Sequence, residues 1–246
     1  MKTSIITITY DRDLEYLKYN LQSIKKFCKG YHENIVVIDD HENDCKKTQE
    51  YLESIGQKYY INREAKFIKH GYIRQQYIKL FSEQYVSSDA DYICHVDSDN
   101  IFIAEHDPSV YFKNDLPILG ITKWTDMPQT FFKSCTDKTL CFESYHNFMR
   151  RMPLVYHQHL FKKFRDYIEK HHENIIDYLN SLETFSEYNA FGAFAYRFQN
   201  AQYYWVDTVA QKDLWFKQLK LPCIQYSSKN NNPRYIEVEK FKNILN

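Results

Sequence analysis

Glycine is scarce: the 246-residue chain contains five. No Gly-x-Gly-x-x-Gly turn follows the first apolar run, which argues against a dinucleotide-binding dehydrogenase. The Gly-x-x-x-x-Gly-Lys-Ser/Thr loop is also absent, which removes P-loop kinases and NTPases. Cysteines stand at 28, 45, 94, 135, 141 and 223, never as Cys-x-x-Cys or in a paired Cys/His spacing. A structural zinc site is therefore not expected, and the thiols read as reduced, which suggests a cytoplasmic setting. No apolar run approaches the roughly 20 residues that span a bilayer, so no transmembrane segment is expected. The N-terminal run lacks signal-peptide architecture. Lys plus Arg and Asp plus Glu both number 32, so nothing global attracts nucleic acid, and no nucleic-acid partner is expected.

Aromatic residues are abundant, with 22 Tyr and 17 Phe. Most of them read as core, though a Tyr offers a flat face and a hydroxyl together, which also suits a pocket. Along the chain, "SIITIT" (4–9) is a β-branched run that reads as a buried strand. It ends in "YDRD", where Asp11 or Asp13 can cap a helix carrying Leu14, Leu17, Leu21 and Ile24 on one face. "NIVVIDD" (34–40) is a second strand, followed by a helix closed by Gly56 and a third strand, "QKYYIN". "GYIRQQYIKLF" sets Ile73, Tyr77, Leu80 and Phe81 on one helical face and leaves Arg74, Gln75 and Lys79 near the other. "DYICHVDSDNIFI" reads as a fourth strand running straight into its acids.

This alternation predicts a parallel α/β sheet, in which ligands bind outside the carboxyl ends of the strands. Tyr10-Asp11-Arg12, Asp39-Asp40 and Asp97-Ser98-Asp99 all fall at those ends. Three Asp-x-Asp triplets occur in all. Asp11-Arg12-Asp13 is explained by capping and Asp89-Ala90-Asp91 by a turn. Asp97-Ser98-Asp99 leaves a strand that should be buried, where two acids repel and need a cation or strong donors. It is the expected metal site.

"SIITITYDR", "NIVVIDD", "YIRQQYIKL" and "YICHVDSDNIF" resemble, in order and spacing, the nucleotide-sugar half of DxD-containing glycosyltransferases of the GT-A fold. The resemblance covers about the first hundred residues well and the remainder loosely. It implies an α/β, GT-A-like fold: a Rossmann-like, mainly parallel central sheet with helices on both faces. It further implies a single domain over 1–246, with a nucleotide-sugar half (1–103) and an acceptor half (104–246). By the same resemblance Thr9, Tyr10 and Arg12 cradle the nucleotide and Asp39 contacts the base. Asp97 binds ribose or is a water-mediated ligand, and Asp99 binds Mn²⁺ or Mg²⁺ directly, with Ser98 between them at the donor. Hard cations of this kind neutralise a diphosphate leaving group. Arg74, Gln75 and Lys79 are expected donor contacts, and a solvated helix face is the alternative for Arg74 and Lys79.

The expected function is transfer of a sugar from a nucleotide-diphosphate donor to a glycan or other hydroxyl acceptor, with inversion slightly favoured. Glu187, an acid in the apolar stretch "FSEYNAFG", is the candidate base, because partial burial raises a carboxyl's pKa. A loop or capping acid is the alternative there, and Asp207 is the reserve candidate. Sugar-1-phosphate nucleotidyltransferases share the fold but open with a Gly-rich loop that "TYDRD" lacks. A non-catalytic nucleotide-sugar or glycan-binding protein is the reading from another class. His157 and His159, placed on a helix, would point about 200° apart and could not chelate easily. The basic, aromatic helix over 158–170 leaves peripheral membrane contact open. Beyond it, residues 227–246 read as a polar loop and a short helix.

Overall fold

The computed structural model describes residues 1–40, 44–127, 130–149, 153–213 and 223–225. The tail expected as loop and helix, 227–246, lies outside them. The chain alternates β1 (Thr3–Thr9), α1 (Leu14–Phe27), β2 (Glu33–Asp39), α2 (Lys46–Ser54), β3 (Tyr59–Asn62), α3 (Gly71–Leu80) and β4 (Tyr92–Asp97). There follow β5 (Asn100–Phe102), β6 (Phe112–Lys113), β7 (Leu116–Lys123), α4 (Lys133–Leu140), β8 (His146–Asn147) and β9 (Leu154–His157). Then come α5 (Gln158–His172), α6 (Ile175–Asn180), α7 (Glu187–Phe198), β10 (Tyr204–Asp207) and β11 (Cys223–Gln225).

The main sheet has the order β3-β2-β1-β4-β9. Its first four strands pair in parallel, and β9 closes the far edge antiparallel to β4. Alternation along β1 sends side chains to both faces. Ile6 and Ile8 pack with Ile73 and Tyr77 of α3 and with the aromatic faces of α5 and α7. Ile5 packs the other way, with Leu17, Leu21 and Ile24 of α1 and Leu52 of α2. Burial on both faces is why the first two strands read as near-continuous apolar runs. The smaller sheet, β10-β7-β6 with β8 beside β7, carries the second half of the chain. Among the described residues, no helix is long and apolar enough to cross a membrane.

Several local expectations change. The fourth strand is two: β4 stops at Asp97, the chain turns through Ser98 and Asp99, and β5 pairs antiparallel with β11. In a straight strand Asp97 and Asp99, two residues apart, would share one face of the sheet; the break instead sets them at its edge, where the strand ends and the chain turns. Asp11 does not cap α1. Its Oδ1 accepts from the Thr48 backbone N–H (3.1 Å) and hydroxyl (2.7 Å), so it serves the first turn of α2. "FSEYNAFGAFAYRF" becomes α7, with Ser186 as its N-cap accepting from the Asn189 N–H.

His157 is not on a helix. It ends β9 and precedes α5, so its ring stacks on that of His159 at 5.0 Å, and the expected divergence of the pair does not occur. Both Nε2 atoms meet Gln202, at its backbone carbonyl (3.2 Å) and its side-chain oxygen (2.9 Å).

Helix α7 lies so close to Phe148 that a Cβ on Gly192 would come within 2.2 Å of the Phe148 Cβ. Ala is preferred over Gly in a helix by about 1 kcal/mol, but overpacking a core costs about 1–3 kcal/mol or more. Gly192→Ala should therefore lower unfolding stability by about 1–2 kcal/mol in a urea melt. A neutral or stabilised variant would show that α7 does not pack on Phe148.

Candidate functional site

The parallel register brings the ends of β1, β2 and β4 to one edge, with Ile8 beside Asp97 and Thr9 beside Ile38. At that edge Lys79 is buried between two acids. Its Nζ donates to Asp97 Oδ1 at 2.8 Å and to Glu187 Oε1 at 2.9 Å, and sits 4.5 Å from the centroid of the Tyr188 ring. The Lys79 side chain is 5% exposed and that of Glu187 4%. The solvated helix face expected as one alternative for Lys79 is thus excluded, because α7 covers that side of α3. Burial alone would discharge the ammonium, but the charges of Asp97 and Glu187 outweigh it and hold Lys79 well above its ordinary value. Glu187 moves upward, because burial outweighs the help it receives from Lys79.

Scaffolding around this triad is hydrogen-bonded. Gln76 Oε1 accepts from the Glu187 N–H at 3.2 Å, while Gln75, the neighbour expected as a donor contact, is half-buried beside it on α3. Ser82 donates to the Lys79 carbonyl (2.9 Å) and meets His95 Nε2 at 2.8 Å, which ties the end of α3 to β4. Burial and the Lys79 charge keep His95 neutral, well below its usual value. From α1, the buried Asn20 donates to the carbonyls of Asn100 (2.6 Å) and Asp97 (3.4 Å), which fixes the acid turn from below.

Within that turn, Ser98 donates to Asp13 Oδ2 at 3.4 Å and Asn100 donates to Asp99 Oδ1 at 3.2 Å. Burial, and then the charges of Asp97 and Asp13, raise the Asp99 carboxyl from 3.8 to about 7. Crowded, partly desolvated carboxylates of this kind fit a hard divalent cation, which would relieve their repulsion. Among the described residues, no three His, Cys, Asp or Glu side chains form a ready metal-ligand set. The acids present suit a cation that keeps water and takes substrate phosphate oxygens as further ligands, as Mg²⁺ does.

The other predicted residues divide. Asp39 pairs with Arg74 (3.4 Å) and Asp40 with Arg63 (3.2 Å), so the acids ending β2 face basic partners at the same edge. Thr9 is buried at the end of β1, while Tyr10 and Arg12 are exposed just beyond it. Asp207 ends β10 in the second sheet, where its carboxylate accepts from the N–H groups of Val209 and Ala210, both at 2.9 Å, and caps a turn. Asp89 pairs with Lys2 and His32 near the opposite ends of the strands, as befits a structural triplet. Sequence reasoning missed Asp13, Asn20 and Gln76. Gln76 and Lys79 lie at i and i+3, and that spacing was the available signal.

A family model described as a family of unknown function, DUF6492, matches residues 4–220. The chain belongs to the DUF6492 family. No curated protein matches it by sequence. Among solved structures, the galactosyltransferase LgtC, in complex with donor and acceptor sugar analogs, superposes with a TM-score of 0.58 at 10% identity. That match covers 98% of this chain and 95% of LgtC. The apo form of the glycosyltransferase GlyE from Streptococcus pneumoniae TIGR4 gives a TM-score of 0.46 at 16% identity, over all of this chain and 62% of GlyE. The mixed α/β architecture with a mainly parallel sheet, shared with LgtC, is thus a property of this DUF6492 chain as well.

Two outcomes follow for the site. Lys79→Met strands the buried Glu187 carboxylate and the partly buried Asp97 and should cost about 3–5 kcal/mol in chemical unfolding, whereas Lys79→Met with Glu187→Gln should recover part of that. Asp99 titrates higher folded than unfolded, so its contribution to stability is present below about pH 4 and lost as pH rises through about 7. Asp99→Asn should remove on the order of 2 kcal/mol of that decline in a pH series of unfolding curves.

Proposed function

We propose that this protein is a metal-dependent glycosyltransferase that moves a sugar from a nucleotide-diphosphate donor to a hydroxyl acceptor. The observation that carries this reading is the buried Lys79 bridge, which joins Asp97 of the acid turn to Glu187 of the second half. The full-length likeness in fold to LgtC supports the reaction class. In this reading 1–103 hold the donor and 104–246 supply most of the acceptor side.

Thr9, Tyr10, Arg12 and Asp39 bind the nucleoside, and Arg74 steadies Asp39 through their ion pair. Asp97, Ser98 and Asp99 face the diphosphate, with Asp99 and Asp97 as the carboxylates that hold Mn²⁺ or Mg²⁺. The cation supplies charge neutralisation for the diphosphate leaving group. Lys79 is a positioning residue: it fixes one oxygen of Glu187 and leaves the other for the acceptor.

Glu187 takes the acceptor hydroxyl proton while the acceptor oxygen bonds to the anomeric carbon. The bond from that carbon to the phosphate oxygen breaks, and its electron pair leaves with the diphosphate. This direct displacement inverts the anomeric centre. A base of raised pKa suits proton transfer near neutrality, and burial in the α3–α7 contact raises that of Glu187.

Thermal denaturation with nucleoside diphosphates and nucleotide sugars, in Mn²⁺ and in EDTA, tests the donor site. A ligand at about 100 times its Kd should stabilise the wild type by about 2.7 kcal/mol in metal alone. Asp99→Ala should lose that response. Glu187→Gln should keep it but lose about 10²–10⁴ in turnover. A metal-independent response, or Asp99→Ala behaving as wild type, would overturn the assignment.

A further inference from the structure

Tyr72, Gln76 and Lys79 stand at i, i+4 and i+7 on α3 and so share one helical face. Two of them engage Glu187, through the Gln76 side-chain oxygen and the Lys79 ammonium. Tyr72 is the next turn outward, at the strand-end edge where α3 begins, and half of it (50%) is exposed. Burial of its hydroxyl, and then the Glu187 charge, push that group up to about 12.

From the other side comes Met149, 42% exposed. Its Sδ receives the Ser186 hydroxyl at 3.8 Å, next to Glu187 in sequence. Asn189 Oδ1 accepts from the N–H groups of Phe148 (2.7 Å) and Met149 (3.3 Å), so this loop is fixed to α7.

Two exposed apolar side chains thus stand beside the segment that carries the buried Glu187: Tyr72 one turn from Gln76, which bonds the Glu187 N–H, and Met149 on the hydroxyl of Ser186. Exposed large apolar groups beside a buried polar one are the makings of a ligand subsite, in which apolar surface supplies contact and a few polar groups set orientation. An uncharged pyranose has that dual character, with a face of C–H groups and an edge of hydroxyls. The Glu187 charge disfavours an anionic ring. The acid turn lies at the far end of the Lys79 bridge, which separates this rim from the diphosphate.

We propose that Tyr72 and Met149 form the acceptor subsite and that the acceptor is an uncharged sugar ring, its C–H face on Tyr72 and a hydroxyl directed at Glu187. The proposal rests on the transferase reading.

The test is saturation-transfer NMR of a panel of methyl pyranosides with the full chain, in the presence of Mn²⁺ and UDP, GDP, CDP or ADP. Wild type and Tyr72→Phe should transfer saturation to the ring C–H protons of at least one pyranoside. Tyr72→Ala and Met149→Ala, folded by their melting temperatures, should bind about fivefold or more weakly. Unchanged transfer in both alanine variants would overturn the subsite. No pyranoside signal alongside a metal-dependent nucleotide shift would overturn the sugar acceptor and leave the donor reading standing. Loss of the nucleotide shift in wild type would overturn both.

Discussion

The architecture turns on one buried cation. Lys79 comes from α3, Asp97 from the end of β4 and Glu187 from the first turn of α7, so one ammonium links three segments that are distant in sequence. An ammonium out of water is tolerated only when its charge and donors are matched, and two carboxylates with an aromatic face provide that. The match is geometrically demanding. The Ser82–His95 contact holds the end of α3, Gln76 holds the Glu187 backbone, and Asn20 holds the turn that presents Asp97. Each support comes from a different element, which makes the position of α7 relative to the sheet a consequence of a charge interaction as much as of apolar packing.

The charge balance around that cation shapes the chemistry. One ammonium serves the buried Glu187 and the partly buried Asp97, while Asp99 lies close to the charges of Asp97 and Asp13. Burial and then the repulsion of neighbouring acids lift Asp99 to about 7, and burial moves Glu187 upward. The two carboxyls differ in surroundings: Asp99 lies among acids, and Glu187 lies against a lysine and an aromatic ring. In the proposed reading, environment separates the roles that composition leaves identical.

Much of the fold was legible in the sequence. β-branched runs buried on both faces, amphipathic helices between them and acids at the strand ends specified the parallel sheet and the edge where its acids gather, because period and burial are local properties. The acid triplet was legible for the same reason: carboxylates leaving a buried strand are conspicuous. Less local matters misled. Asp11 was read as capping its own helix, yet it satisfies Thr48 of the next one. The divergence of about 200° weighed for His157 and His159 presumed both on a helix, whereas His157 is the last residue of β9 and its ring stacks on that of His159.

What the sequence determined by itself was the alternation, the convergence of polar clusters on one edge and the candidate acids. Only the tertiary structure decided that Lys79 is buried, that Gln76 bonds the Glu187 N–H, and that Asp207 serves a turn in a second sheet. Helical spacing sorts residues into faces, but which face is covered depends on a partner more than a hundred residues away. That partner is α7, and no periodicity in α3 announces it.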